Sequence, residues 1–321
     1  MAARAAPRAD ATHAPASTAA TAGHVPAAGV DIVRTFPDTS WEDGAPGGPT
    51  HNVEALVEDG LVLAFPQLPF VLAADERRFL DTRWTDGKAK NISVRWPSGE
   101  LRGTSAAGAD RDALRALVVR WAEQAERFAL RLFPHYRGRL VRGNSSFRPV
   151  HVATRQTSWR QDDTRLHIDA FPSNPMHGTR LLRVFSNVNP AGLPREWRVG
   201  EPFEAHARRY LPKVARPVPG SAWLLNATGI TKRRRTEYDH LMLQLHDRAK
   251  ADLAFQREGP QARVDFAPGT TWVVYSDQVL HAVMGGQHMM EQTFYLEPEA
   301  QLHPERSPLR TLERLLGRPL R

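Results

Sequence analysis

The sequence predicts an α+β chain, a sandwich or jelly roll of short strands elaborated by helices. Three observations carry that reading. From Phe147 onward, short apolar runs alternate with turn signals; Asp110 to Phe133 has a helical apolar period; and a second helical stretch, about Glu237 to Phe255, interrupts the strands. Short strands separated by turn residues at this spacing mark two-sheet or closed β architectures.

Residues 1–28 are rich in Ala, Pro, Thr and Gly, and Met1 and Val25 are their large apolar residues. That composition predicts a disordered tail, with order beginning near Val30 and residues 29–321 forming one domain. The tail is Arg-bearing and acid-poor like a transit peptide, but its prolines argue against an amphipathic helix. Asn52 to Pro66 reads as strand material around the buried run Leu61 to Phe65. The helix after Asp110, its expected cap, carries Leu114, Leu117, Val118, Trp121, Ala125, Phe128 and Leu132 on one face until Pro134 stops it. Strands are expected at Val150–Val152, Leu166–Asp169, Leu181–Val188, Trp223–Ala227, Trp272–Tyr275 and Thr293–Leu296. Between Pro190 and Arg263 lies an Arg-rich insertion containing helices, of the kind that often frames a substrate.

The chain has 321 residues, ample for a sizeable core, and no cysteine. Disulfide frameworks and thiolate metal sites are thereby excluded, which leaves His and carboxylate as the strong metal ligands. A net charge of +8 suits an anionic partner, and the run Lys232-Arg233-Arg234-Arg235 is either part of that surface or a solvated loop. No apolar stretch approaches the ~18 residues that span a bilayer. No secretory core precedes the domain, so a cytoplasmic location is expected.

Thr164-Arg165-Leu166-His167-Ile168-Asp169-Ala170-Phe171-Pro172 places a His and an Asp two residues apart in an apolar run. On a strand such residues share a face, so both can grip one metal ion. A second His is available at His281, after the turn signal Pro268-Gly269, an apolar strand and Ser276-Asp277, and before Gly285-Gly286. Two His and one carboxylate on one face of a metal leave the other positions open, as in the facial triad of non-heme Fe(II) oxygenases. The competing reading is a strand His bonded to a neighbouring acid, because the chain holds 13 His and 35 acidic residues. His240, His246 and Asp247 form another ligand-like group, but at i and i+6 the two His do not share a helix face well, which suits packing or capping better. His288 is either a pocket residue or structural, and Asp277 either supports His281 or forms the turn before it. Arg155, Arg160 and Arg165 flank the first ligand pair, as anion contacts or ordinary surface positions.

His167 to Ser173, Leu182 to Pro190, Trp197 to Glu204, Tyr238 to Leu243 and Ser276 to Ala282 closely resemble the Kdo hydroxylases, from about Val53 to the C-terminus. These are bacterial Fe(II)/2-oxoglutarate-dependent dioxygenases acting on 3-deoxy-D-manno-oct-2-ulosonic acid (Kdo). The resemblance implies a double-stranded β-helix (jelly-roll) core, flanking helices and a helical insertion between the two halves of the metal site. It implies iron held by His167, Asp169 and His281, with 2-oxoglutarate and dioxygen as cosubstrates. It also implies hydroxylation of carbon 3 of Kdo on Kdo-lipid A, with the enzyme lying peripherally on the anionic inner-membrane surface.

Many such oxygenases place an Arg after the distal His to hold the cosubstrate's far carboxylate; here Gly286 to Gln292 contains no Lys or Arg. Arg183 is the expected anchor, with Asn187, Gln292 and Thr293 as polar helpers, unless it serves a structural salt bridge. Arg180 lies on the same strand and should face the other way. Two other readings remain: the same chemistry on another anionic sugar or a peptide, or a non-catalytic jelly roll that binds lipopolysaccharide sugars. Nucleic-acid binding is the least supported, since basic and aromatic residues do not interleave in a recognisable motif. The sequence carries no signal for oligomeric state.

Overall fold

The computed structural model describes residues 24–25, 32–42, 52–151 and 158–321. In chain order its strands are β1 (His24–Val25), β2 (Val33–Thr35), β3 (Val62–Phe65), β4 (Ile92–Val94), β5 (Leu101–Arg102), β6 (Val141–Arg148), β7 (Arg180–Asn187), β8 (Arg195–Gly200), β9 (Gln261–Phe266), β10 (Thr271–Tyr275), β11 (His281–Gly285) and β12 (Met289–Leu296). The helices are α1 (Val53–Glu58), α2 (Gly108–Leu132), α3 (Phe203–Tyr210), α4 (Ser221–Ala227), α5 (Glu237–Ala251), α6 (Leu253–Glu258) and α7 (Pro308–Leu316). An eight-stranded sheet runs β2-β3-β10-β7-β12-β6-β4-β5, and a four-stranded sheet runs β1-β9-β8-β11. Pairing is antiparallel except between β2 and β3.

Alternation along the large sheet builds both of its faces. Val62, Ala64, Phe185, Trp272, Val274 and Met289 point inward and meet Trp197, Val199, Val264 and Phe266 of the small sheet. Their neighbours Leu63, Phe65, Leu182, Val184, Val273, Tyr275, Met290 and Phe294 point outward, beneath α2. The period of two therefore makes one sheet the wall of two cores. All seven residues of the expected helical stripe are buried on α2. Trp121 and Phe128 meet Trp41, Phe65 and Phe70 edge-on at centroid distances of 5.1–6.0 Å.

A third cluster joins α3, α5 and α7 to Leu166, Ile168, Leu280 and Ala282. Of the helices between β8 and β9, α3 and α5 thus rest directly on the two segments that carry the expected metal ligands.

Several local expectations give way. Asn52–Pro66 is a helix followed by a strand, because the Asn52 side chain caps α1 and Gly60, at φ +84°, turns the chain into β3. Trp223–Ala227 is helix α4, an apolar run too short for periodicity to decide. Asp110 lies in the first turn of α2, whose N-cap is Ala107. The helix from Glu237 breaks at Asp252, whose side chain caps α6 through Phe255 N. Leu166–Asp169 forms only an isolated bridge at His167. Val150–His151 is not a strand and Val152 lies outside the described residues; the strand of this region is β6, hidden by its turn-like Gly143-Asn144-Ser145-Ser146. Within the tail, His24–Val25 pairs with β9, while residues 1–23 lie outside the described residues.

Arg180 is fully buried at the start of β7. It donates to Asp277 Oδ2 at 2.7 Å, Gln301 at 2.7 Å and Gln278 at 2.6 Å, and its guanidinium lies 3.9 Å from the Tyr275 ring centre. Burying a charge is tolerable only with such partners. Arg180→Ala strands the Asp277 carboxylate and should destabilise the fold by ~3–5 kcal/mol in urea unfolding. Adding Asp277→Ala should recover part of that loss; a double variant equal to the sum of the two singles would show that the pair is not coupled.

Candidate metal centre

Backbone hydrogen bonds put the first two ligand positions beside the third. His167 N donates to His281 O at 3.0 Å and His281 N returns a bond to His167 O at 2.9 Å. Asp169 N reaches Ser276 O at 2.8 Å, and Val283 N reaches Asp163 O at 2.8 Å. The segment 163–169 is therefore laced along 276–283 without forming a continuous strand. Beyond β11, Gly286 at φ +98° lets the chain pass Arg195, since a Cβ there would lie 2.7 Å from Pro194 O.

One ligand atom from each of His167, Asp169 and His281 lies within 4.8 Å of the others. His167 Nδ1 donates to Arg165 O at 2.7 Å, and His281 Nδ1 to Val279 O at 2.8 Å. Each bond fixes a ring and leaves Nε2 as the free donor atom, the arrangement usual for a metal-bound imidazole. Trp197 stacks on His281 at 5.2 Å and His246 meets His167 edge-on at 5.4 Å.

Burial pushes both imidazoles below their ordinary range and so favours the neutral, ligating form. Burial alone would raise Asp169, but Arg183 foremost holds its carboxyl well below the usual range. Arg183 Nη2 lies 2.9 Å from Asp169 Oδ2, without the directionality of a hydrogen bond, so that oxygen is buried with no donor. Two neutral imidazoles and an ionised carboxylate with an undonated oxygen fit a divalent ion with open positions, as Fe(II) requires.

The three residues line a cavity of about 1280 Å³. Seven Lys or Arg side chains and three Asp share its wall, so it favours anions. Lys90 pairs with Asp163, where Lys90 and Arg148 outweigh burial and hold the carboxyl down at about 2. Arg148 and Arg183 both grip Glu291 on β12: Arg148 takes Oε2, and Arg183 Nη1 takes Oε1 at 3.0 Å.

The other expected residues fall on both sides of that wall. Asn187 is spent on Leu193 O, Phe266 O and Asn189 N, which shape the turn after β7. Gln292 points to the opposite face of β12, bonding Ser145 and Gly143 O, so neither is placed to touch a cosubstrate. Thr293 is Arg183's register partner but does not line the cavity. Arg180 faces away, as expected, and Asp277 anchors the turn before His281 through it.

His240 and His246 line the cavity from α5, bonded to Ala215 O and Asp247, and Arg160 joins them by pairing with Asp247 at 3.0 Å. Arg165 pairs with Asp162 outside the cavity, His288 turns the chain into β12 at φ +57°, and Arg155 lies outside the described residues. Sequence reasoning missed Trp197, Arg148, Glu291, Lys90 and Lys250. Lys250 was detectable, one helical turn beyond His246 on α5; Arg148 and Lys90 become neighbours only through sheet pairing.

A family model described as 3-deoxy-D-manno-oct-2-ulosonic acid (Kdo) hydroxylase matches residues 41–319. Among solved structures, the Kdo hydroxylase KdoO, described as a non-heme Fe(II) α-ketoglutarate-dependent dioxygenase, is 46% identical in its cobalt(II) complex, covering 90% of this chain and 97% of that one with a TM-score of 0.86. Its complexes with α-ketoglutarate and Fe(III), and with succinate and Fe(III), match at the same identity and coverage with TM-scores of 0.85. No curated protein matches the chain. The match over nearly the whole chain and the KdoO likeness identify this protein as a member of the Kdo hydroxylase family.

Proposed function

We propose that this chain hydroxylates carbon 3 of Kdo on Kdo-lipid A. As a family member it is an Fe(II)/2-oxoglutarate-dependent dioxygenase. The observation that carries the substrate reading is the His167, Asp169 and His281 set inside a cavity rich in Lys and Arg. Kdo carries a carboxylate and lipid A carries phosphates, so each anionic part meets complementary charge. When bound, the iron, 2-oxoglutarate and dioxygen supply the oxidation: one oxygen atom enters the C–H bond, the other enters succinate, and CO₂ leaves.

The protein's part is positional. His167, Asp169 and His281 hold the ion, and their backbone lacing keeps them from spreading. We assign the cosubstrate's far carboxylate to the Arg148 and Arg183 pair, extending the Arg183 expectation. Glu291 neutralises one of these two guanidiniums and Asp169 faces the other, so the ion's own charge tips this end of the cavity towards anions. Thr293 backs Arg183 across the ladder. Trp197, Phe185 and Val283 supply an apolar wall that keeps water from the reacting carbon. The protein works at the anionic cytoplasmic face of the inner membrane, where the lipid substrate is presented.

Succinate formation should depend on Kdo-lipid A, and the lipid should gain one oxygen by mass spectrometry. Turnover only with another anionic sugar would reassign the substrate while keeping the chemistry; no turnover alongside stoichiometric iron would favour a sugar-binding protein. His167→Ala should abolish turnover and lower anaerobic Fe(II) binding while the far-UV spectrum stays unchanged. Arg148→Lys and Arg183→Lys should each raise KM for 2-oxoglutarate by about 10- to 100-fold, the cost of a lost charge-assisted contact. An unchanged KM in both variants would remove the pair from the cosubstrate site.

A further inference from the structure

Between Leu211 and Thr236 the chain carries six Lys or Arg and no carboxylate. In the middle of this stretch Val218, Trp223, Leu224 and Ile230 are each 55–71% exposed, on α4 and the loops that flank it. Four large apolar side chains this exposed within thirteen residues are costly in water unless something covers them. The backbone beneath them is largely self-satisfied: Ser221 N, Thr228 N and Thr231 N donate to Val218 O, Leu224 O and Leu225 O at 2.9–3.1 Å. A segment that meets its own hydrogen bonds can enter an apolar medium without stranding polar groups.

Both ends of the segment are tied to the cavity wall. His240 Nε2 donates to Ala215 O at 2.9 Å, and Arg235 donates to Pro172 O; His240, Arg235 and Pro172 all line the cavity. Lys232 N and Arg233 add bonds to Ser173 O at 3.0 Å and Pro175 O at 2.8 Å. Arg216, Lys232 and Arg234 are exposed, and no acidic side chain forms an ion pair with them among the described residues. The apolar tip is thus ringed by cations and anchored where an anionic sugar would enter.

We propose that residues 215–235 form a membrane-docking hairpin. Val218, Trp223, Leu224 and Ile230 sink into the acyl boundary of an anionic bilayer, and Arg216, Lys232 and Arg234 stay among the headgroups. Apolar burial together with basic attraction is the combination that holds interfacial segments on anionic lipid. The hairpin deepens the reading of the substrate as a lipid-borne sugar and rests on it for its purpose, though not for its chemistry. Docked this way, the protein leaves the acyl chains in the bilayer and draws in only the sugar.

The test is co-sedimentation of the full chain with phosphatidylcholine vesicles, with and without phosphatidylglycerol. Wild type should bind the anionic vesicles, and added salt should release it. The exposed double substitution Trp223→Ser and Leu224→Ser should weaken binding about tenfold or more with thermal unfolding unchanged. Lys232→Gln with Arg234→Gln should weaken it and flatten the salt dependence. On vesicle-borne Kdo-lipid A the apolar double variant should raise KM with kcat unchanged, while turnover of the deacylated sugar stays at the wild-type level. Equal sedimentation of wild type and the apolar variant overturns the proposal. So does a dimer that the variant dissociates while vesicle binding persists, because a second copy would then cover the patch. Absence of turnover on both acceptors removes the substrate reading instead, and vesicle binding still decides the hairpin.

Discussion

The reciprocal backbone hydrogen bonds between His167 and His281 are the constraint on which the site depends. They join two segments more than a hundred residues apart and bring two ligand atoms to metal-binding separation. The hydrophobic cluster under α3, α5 and α7 presses Leu166 and Ile168, on either side of His167, against Leu280 and Ala282, on either side of His281. Apolar residues next to each ligand thus supply the force, and the backbone bonds supply the register. This division lets polar ligands sit in a buried place without being held by their own polar contacts alone.

Much of this was legible because a period of two survives tertiary context. Arg183 and Phe185 alternate with Leu182 and Val184, and the sheet sorts them into the interior and the α2 face as the pattern requires. His167 and Asp169 share a face although the strand expected around them is a single bridge, because their backbone N–H groups are both tied to the segment 276–281. The errors have a common physical origin. Gln292 looked available because it closes the stretch after His281 where an anchor usually stands, but it belongs to the alternate face of β12, which the sequence of that strand alone does not identify. Asn187 looked like a binding residue and is a turn former, the commoner use of Asn at a strand end. α4 was misread because its apolar residues face outward and so carry no amphipathic signal toward a core.

Charge is distributed unevenly, and the distribution unites the site with the surface. The cavity concentrates Lys and Arg side chains around few carboxylates, while much of the remaining surface pairs its charges, as Arg314 and Arg208 do with Glu204. Exposed pairs of that kind contribute little to stability. Unbalanced cations matter more, since a field in a partly buried cleft is poorly screened. The Arg148, Glu291 and Arg183 arrangement keeps the buried end close to neutral without an ion, so the charge of the loaded centre sets its appetite for anions.

Trp197 stands at the boundary between scaffold and chemistry. One face of its indole backs the His281 ring, while Phe185, Phe266 and Trp272 pack around it in the sandwich interior. The hydrophobic core and the candidate metal centre therefore share a wall one residue thick. A volume change at Trp272 or Phe266 that an ordinary β sandwich would absorb by repacking is here transmitted to the angle of an imidazole. The interior of this domain is thus less free to drift than its apolar composition suggests, and the route by which such a sandwich acquires new core sequences runs through the tolerance of the proposed iron ligands.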